Sequence, residues 1–167
     1  LYRTMVGSLL YLSTKTRPDI AEAVGAAARH VENPTNQNWT EVKRILRYLK
    51  GTSNLGLIYP IGSNHMTLHG YSDADWAGDK ADRKSTGGFV LKIGECIISW
   101  RSQKQAVVAP STSEAEYIAL FEIAKEIVWV RRLLKELGYE QTSPTVVQED
   151  NQSCISWTRE IGRASCR

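Results

Sequence analysis

Near residue 63 the apolar residues of this chain change their spacing, and that change divides what the polypeptide can fold into. Before it, apolar side chains recur every three or four residues, the repeat of a helix face. After it they alternate, the repeat of a strand. In residues 1–12, Met5, Leu9 and Leu12 fall at helical steps. Thr16-Arg17-Pro18-Asp19 reads as a helix start, with proline in the first turn and an acid beside the positive end of the helix dipole. Ile20, Val24, Ala27, Ala28 and Val31 then share one face. Asn33-Pro34-Thr35-Asn36 interrupts the pattern, and a third helix turns Trp39, Val42, Ile45, Leu46 and Leu49 inward, with Gly51 as its expected C-terminal stop. Lys43, Arg44, Arg47 and Lys50 lie on its other side.

Beyond a turn at 60–64 the β-forming runs are 66–73, 87–93 and 96–101, separated by turn signals at 79–82 and 94–95, which predicts an antiparallel meander. A helix follows, with Ser113 as its expected N-cap and Ala115, Ile118, Ala119, Ile123, Ile127, Val130, Leu134 and Leu137 as its apolar pattern. Its length suggests a break near Lys125, and Gly138 ends it. A short strand at 145–148 leads into Glu149-Asp150-Asn151 and a last helix. Three strands, helix, strand, helix is an α/β layer design with a mixed sheet, preceded by a small helical segment over 1–62.

Composition narrows the function classes. No stretch approaches the roughly 18 apolar residues of a membrane span. The three cysteines, Cys96, Cys154 and Cys166, give neither a disulfide framework nor a zinc spacing, so a reducing compartment is expected. Residues 1–60 carry eight Lys/Arg against four Asp/Glu, and residues 61–167 carry thirteen against fourteen, so the basic excess lies in the helical part and the acids gather in the sheet part. No glycine-rich turn is followed by Lys and Ser/Thr at phosphate-loop spacing. Trp39 and Trp129 fall within apolar helical patterns and are expected to pack. Trp76 and Trp100 fit either core packing or stacking on nucleic acid.

Asp73 near the end of the first strand, Glu114 in the first turn of the long helix and Asp150 after the fourth strand are far apart along the chain, yet can meet at one edge of the sheet. Carboxylates so placed repel one another unless a cation neutralises them, and hard divalent ions prefer such oxygen donors. Asp75 rivals Asp73, because a strand sends alternate residues to one face. Glu116 rivals Glu114, and residues two apart on a helix diverge, so one of the pair faces the site. Glu114 is the choice because it precedes the apolar face.

The strings around these acids carry a family resemblance. In order they are His-Gly-Tyr-Ser-Asp-Ala-Asp-Trp-Ala-Gly-Asp (69–79), Arg-Lys-Ser-Thr-Gly-Gly-Phe (83–89), Ser-Trp-Arg-Ser-Gln-Lys-Gln (99–105), Ser-Thr-Ser-Glu-Ala-Glu-Tyr (111–117) and Glu-Asp-Asn-Gln-Ser (149–153). They resemble the ribonuclease H domain of a copia-type LTR-retrotransposon polyprotein. Thr16-Arg17-Pro18-Asp19-Ile20 and the run from Arg44 to Thr52 resemble the end of that family's reverse transcriptase, its thumb and connecting region.

The resemblance implies a ribonuclease H-like domain over 63–159. It implies Mg²⁺-dependent cleavage of the RNA strand of RNA–DNA hybrids by two ions, with Mn²⁺ as a substitute. Asp73, Glu114 and Asp150 are then the catalytic, metal-holding residues. The implied partners are an RNA–DNA hybrid or primer–template duplex and the upstream reverse transcriptase of the same polyprotein, with no membrane and no small-molecule cofactor. The implied location is the cytoplasm, within retroelement particles. Lys43, Arg44, Arg47 and Lys50, with Arg83, Lys84, Ser85 and Thr86, are the expected contacts to nucleic acid. The chain departs from the family after about residue 160. Glu160-Ile-Gly-Arg-Ala-Ser-Cys-Arg167 resembles a translated sequencing adapter, so 160–167 is expected to be a non-native tail and the ribonuclease H domain to be cut short before its fourth acid. That departure supplies the rival expectation, an inactive retroelement remnant that at most binds a duplex.

Overall fold

The computed structural model describes residues 1–60 and 66–164, with the side chains of 161–164 excepted. The chain divides into two compact units, Leu1–Tyr59 and Pro60–Arg167. The boundary expected at Ser63 falls outside the described residues, as does residue 165 onward of the expected tail.

The first unit is helical. Helices α1 (Tyr2–Lys15), α2 (Ala21–Ala28) and α3 (Asn36–Gly51) enclose a core of Tyr2, Val6, Leu9, Ile20, Val24, Ala27, Val42 and Ile45. The inward face of α1 is Tyr2, Val6, Leu9 and Ser13 rather than the expected Met5–Leu9–Leu12 set. Leu12 is exposed, whereas the Tyr2 hydroxyl donates to the Ala27 carbonyl at 2.9 Å and so anchors α1 on α2. Pro18–Ile20 form a turn of 3-10 helix before α2. Arg17, 7% exposed, forks onto both carboxylate oxygens of Asp19 and reaches the Thr52 carbonyl and hydroxyl. A capping box between Thr35 and Asn38 starts α3. Gly51 does not stop it in a left-handed turn: Gly51 is its last residue and Thr52 the cap, held by its hydroxyl on the Tyr48 carbonyl.

The second unit is a four-stranded mixed sheet under one long helix. Strands β1 (Leu68–Asp75), β2 (Thr86–Ile93) and β3 (Cys96–Lys104) form the antiparallel meander. Helix α4 (Thr112–Glu136) then carries the chain back to β4 (Val146–Gln148), which pairs parallel with β1, and α5 (Gln152–Ala164) follows. The sheet order is β3-β2-β1-β4, the ribonuclease H-like mixed sheet that the motif order implied. No described helix is long and apolar enough to cross a membrane.

Helix α4 runs 25 residues without the expected break at Lys125. Ile123, Ile127, Val130 and Leu134 pack on Leu68, Phe89 and Leu91, an apolar stripe that runs unbroken past the position of the expected break. Its N-cap is Ser111, not Ser113: the Ser111 hydroxyl accepts the Glu114 backbone N–H. Gly138, at φ +83°, ends it as expected. Trp129 is exposed rather than packed, because it lies off that stripe. Two glycines let α4 approach the strands. A Cβ on Gly70 would fall 2.5 Å from Ile123 Cδ1, and one on Gly87 would fall 3.3 Å from Ala119 Cβ. Gly87 pairs with Ala74 on β1, so α4 is pinned at its second turn over the strand position next to Asp73.

Candidate metal centre

The helix pinned in this way brings a carboxylate to the sheet edge, and it is Glu116. Oxygen atoms of Asp73, Glu116 and Asp150 all lie within 4.8 Å of one another. Glu114 is not in this group, which corrects the sequence-based choice between the two. The stripe Ala119, Ile123, Ile127, Val130, Leu134 advances in steps of three and four, and continuing it backward by three reaches Glu116. Glu114 instead sits in the first turn, two residues off that line. The signal was therefore in the sequence, in the phase of the stripe rather than in nearness to the helix start. Asp73 is chosen over Asp75, although β1 continues through both. Asp75 turns back on its own loop, where a Cβ on Gly78 would overlap the Asp75 carboxylate.

Asp73 and Asp150 are exposed, whereas Glu116 is buried at 6% exposure. Its Oε2 has no hydrogen-bond partner among the described residues. Burial pushes the Glu116 carboxyl up to about 7, with the charges of Glu149, Asp73 and Asp150 adding to the shift; the Ala74 backbone amide, which hydrogen-bonds it, acts the other way. Burial likewise raises the Cys154 thiol to about 11, with Glu149 and Glu116 contributing. Negative charge thus concentrates at this edge without a compensating basic side chain in the group. Three carboxylates, one of them offering a buried and unpartnered oxygen, suit a hard divalent cation such as Mg²⁺ or Mn²⁺.

Glu149 also takes part at this edge. Its Oε2 accepts the Ser72 hydroxyl at 2.8 Å and its Oε1 accepts the Asn151 backbone N–H at 3.2 Å. Only its position beside Asp150 could have suggested it.

The expected nucleic-acid contacts separate into groups. Lys43, Arg44, Arg47 and Lys50 are all exposed on α3. Lys43 and Arg47 border one shallow groove with Thr40 and Leu46, and Lys43 also lies over the Trp39 ring. Arg44 lines a different groove that contains Asp19 and Glu41, so acids stand beside its charge. In the second unit Arg83 is exposed and Lys84 half-buried. Ser85 is fully buried, and its hydroxyl accepts the Ala77 N–H at 3.1 Å. Its side chain braces the β1–β2 loop and is not available to a phosphate, contrary to expectation. Thr86 opens β2, opposite Asp75 and Lys104. Trp76 is half-exposed, and its indole N–H donates to the Ala109 carbonyl at 3.0 Å.

The Retrovirus-related Pol polyprotein from transposon TNT 1-94 of Nicotiana tabacum is 48% identical over 158 residues, 95% of this chain and 12% of that polyprotein. The Pol polyprotein from transposon RE1 of Arabidopsis thaliana is 47% identical over 150 residues, 90% of this chain and 10% of its own length. Secreted RxLR effector protein 161 of Plasmopara viticola is 45% identical over 129 residues, 77% of this chain and 90% of that protein. The chain belongs to the copia-type retrotransposon Pol family. It spans about a tenth of the length of the Pol polyproteins it matches. No family model and no solved structure matches it. As a region of a Pol polyprotein, it carries the acidic group within its sheet unit and the basic helix face within its helical unit.

Proposed function

We propose that the second unit is a divalent-cation-dependent ribonuclease acting on the RNA strand of RNA–DNA hybrids. The observation that carries this reading is the convergence of Asp73, Glu116 and Asp150 within 4.8 Å, with the Glu116 Oε2 atom buried and unpartnered. Asp73, Glu116 and Asp150 would hold Mg²⁺ or Mn²⁺. Such ions, when bound, activate water and neutralise charge on the departing 3′ oxygen of a phosphodiester. Glu116 supplies its charge from a buried position braced by the Ala74 amide. Because its carboxyl is raised to about 7, it gives up a proton as a cation enters at neutral pH. Asp73 and Asp150, being exposed, face the side from which a duplex arrives. Recognition would rest on duplex shape and 2′-hydroxyls rather than on base edges.

The helical unit would contribute affinity through Lys43, Arg47 and Lys50, whose charges are exposed on α3. Such contacts are indifferent to sequence and sensitive to salt. The test is cleavage of a labelled RNA–DNA hybrid in Mg²⁺ by the chain and by its Glu116→Gln and Glu114→Gln variants. Loss of cleavage with Glu116→Gln and its retention with Glu114→Gln supports the reading. Salt-dependent hybrid binding without cleavage by the unaltered chain favours the inactive remnant instead.

A further inference from the structure

The residues beside the three carboxylates form one continuous hydrogen-bond chain. Ser72, next to Asp73 on β1, donates its hydroxyl to Glu149 Oε2 at 2.8 Å. Glu149 Oε1 accepts the Asn151 backbone N–H at 3.2 Å, which closes the 149–151 loop on itself. Asn151 Oδ1 accepts the Ser113 hydroxyl of α4 at 3.1 Å and, at 2.9 Å, the Cys154 backbone N–H at the start of α5. Ser113 lies three residues before Glu116, one turn earlier on the same side of α4. Asp150 sits between the two linking residues and, unlike them, is exposed. Ser72 is 7% exposed and Ser113, Glu149 and Asn151 are half-buried, so these bonds are part-buried.

The helix core explains why α4 lies on the sheet, but it does not fix the loop carrying Asp150. Strand β4 is three residues long, and two of them, Val146 and Gln148, are exposed. Apolar packing holds this segment only on either side of the loop, through Val147 before it and the buried Cys154 after it. The side chains of Glu149 and Asn151 tie that loop sideways to β1 and α4, the two elements that carry the other carboxylates.

We propose that Ser72, Glu149, Asn151 and Ser113 are positioning residues that set the spacing of the three carboxylates for a shared divalent cation. This rests on the metal reading given above. Partners that orient metal ligands from outside the ligand set typically change metal affinity by about 10–100-fold when removed. The network is uneven in kind. Ser72–Glu149 fixes Asp150 relative to Asp73, and Ser113–Asn151 fixes it relative to Glu116, so breaking either bond releases the same loop.

The test is titration of the full chain with Mn²⁺, followed by the loss of the free-ion electron paramagnetic resonance signal, together with thermal melting in chelator. Ser72→Ala and Ser113→Ala are each expected to weaken Mn²⁺ binding about tenfold. Ser113→Thr, which keeps the hydroxyl, should stay within about threefold of the parent. Asp150→Asn serves as the reference for loss of a ligand. If Ser72→Ala and Ser113→Ala lower the melting temperature yet bind Mn²⁺ as the parent does, while Asp150→Asn does not bind, the four residues are structural only and the proposal is overturned. If Asp150→Asn binds Mn²⁺ normally, the metal reading itself fails and the positioning role falls with it. Should an alanine variant not fold, Ser72→Thr, which keeps the hydroxyl that Glu149 accepts, is expected to bind within about threefold. A tenfold loss there, with melting unchanged, would mean that the bond from the residue 72 hydroxyl does not set the affinity, against the proposal.

Discussion

Replacing Glu116 by Gln should make the sheet unit more stable at pH 8 and leave it unchanged at acid pH. The Glu116 carboxyl stands at about 7 in the folded chain against an ordinary value of 4.5, because it is buried among Glu149, Asp73 and Asp150. Between those two values the unfolded chain has released this proton and the folded chain still holds it. Stability from this group is therefore complete below about pH 4.5 and is lost as pH rises through 7. The full span amounts to about 3 kcal/mol, and water at the exposed Asp73 and Asp150 screens it to about 1–2 kcal/mol. Gln is close in shape and carries no charge, so its stability lacks this pH dependence. Urea unfolding of parent and variant, followed by tryptophan fluorescence in chelator, should give a stability difference near zero at pH 4.5 that grows to about 1–2 kcal/mol in favour of the variant at pH 8. A difference independent of pH, or a variant less stable than the parent at pH 8, would refute the argument that burial and neighbouring acids strain this carboxylate. Adding Mg²⁺ at pH 8 should then stabilise the parent and not the variant.

Three further outcomes follow from the packing and the charges. Gly70→Ala places a methyl 2.5 Å from Ile123 Cδ1 and 3.3 Å from the Val90 carbonyl. It should cost about 1–3 kcal/mol in chemical unfolding and, by lifting α4 from β1, weaken Mn²⁺ binding as well. Arg17→Met removes the fork onto Asp19 and the two bonds to Thr52, and should destabilise the helical unit by about 2–3 kcal/mol in denaturant melts. Exchanging Lys43 and Arg47 for Glu should weaken hybrid binding and reduce the slope of its logarithm against that of salt concentration by about 2, with thermal melting unchanged.

The meander, the long helix and the fourth strand could be read from the sequence because their signals are local. Alternating apolar residues, turn residues at 79–82 and 94–95 and the stop at Gly138 each act within a few positions. Element ends moved by two or three residues, β1 through Asp75 and β3 through Lys104, because pairing partners rather than propensity decide where a strand stops. Two of the three grouped acids, Asp73 and Asp150, were likewise legible as strand-end carboxylates. Nearness to the helix start points to Glu114, whereas the phase of the apolar stripe from Ala119 to Leu134 points to Glu116. The burial of Ser85 and the bond from Ser72 to Glu149 depend on neighbours 8 and 77 residues away, and no local pattern encodes them, whereas the exposure of Trp129 follows from its place off the apolar stripe of α4. The β1–β2 loop shows the same limit. Its acids read as turn residues, yet Lys104 from the end of β3 bridges Asp79 at 2.5 Å and Asp82 at 2.8 Å.

Asp73, Glu116 and Asp150 are proposed to hold a divalent cation together. Calorimetric titration of Mn²⁺ at pH 8 into the full chain, its Glu116→Gln variant and its Glu114→Gln variant tests it most directly. Saturable binding is expected of the parent and of Glu114→Gln, and none of Glu116→Gln. Saturable binding that survives Glu116→Gln and disappears with Glu114→Gln would contradict it.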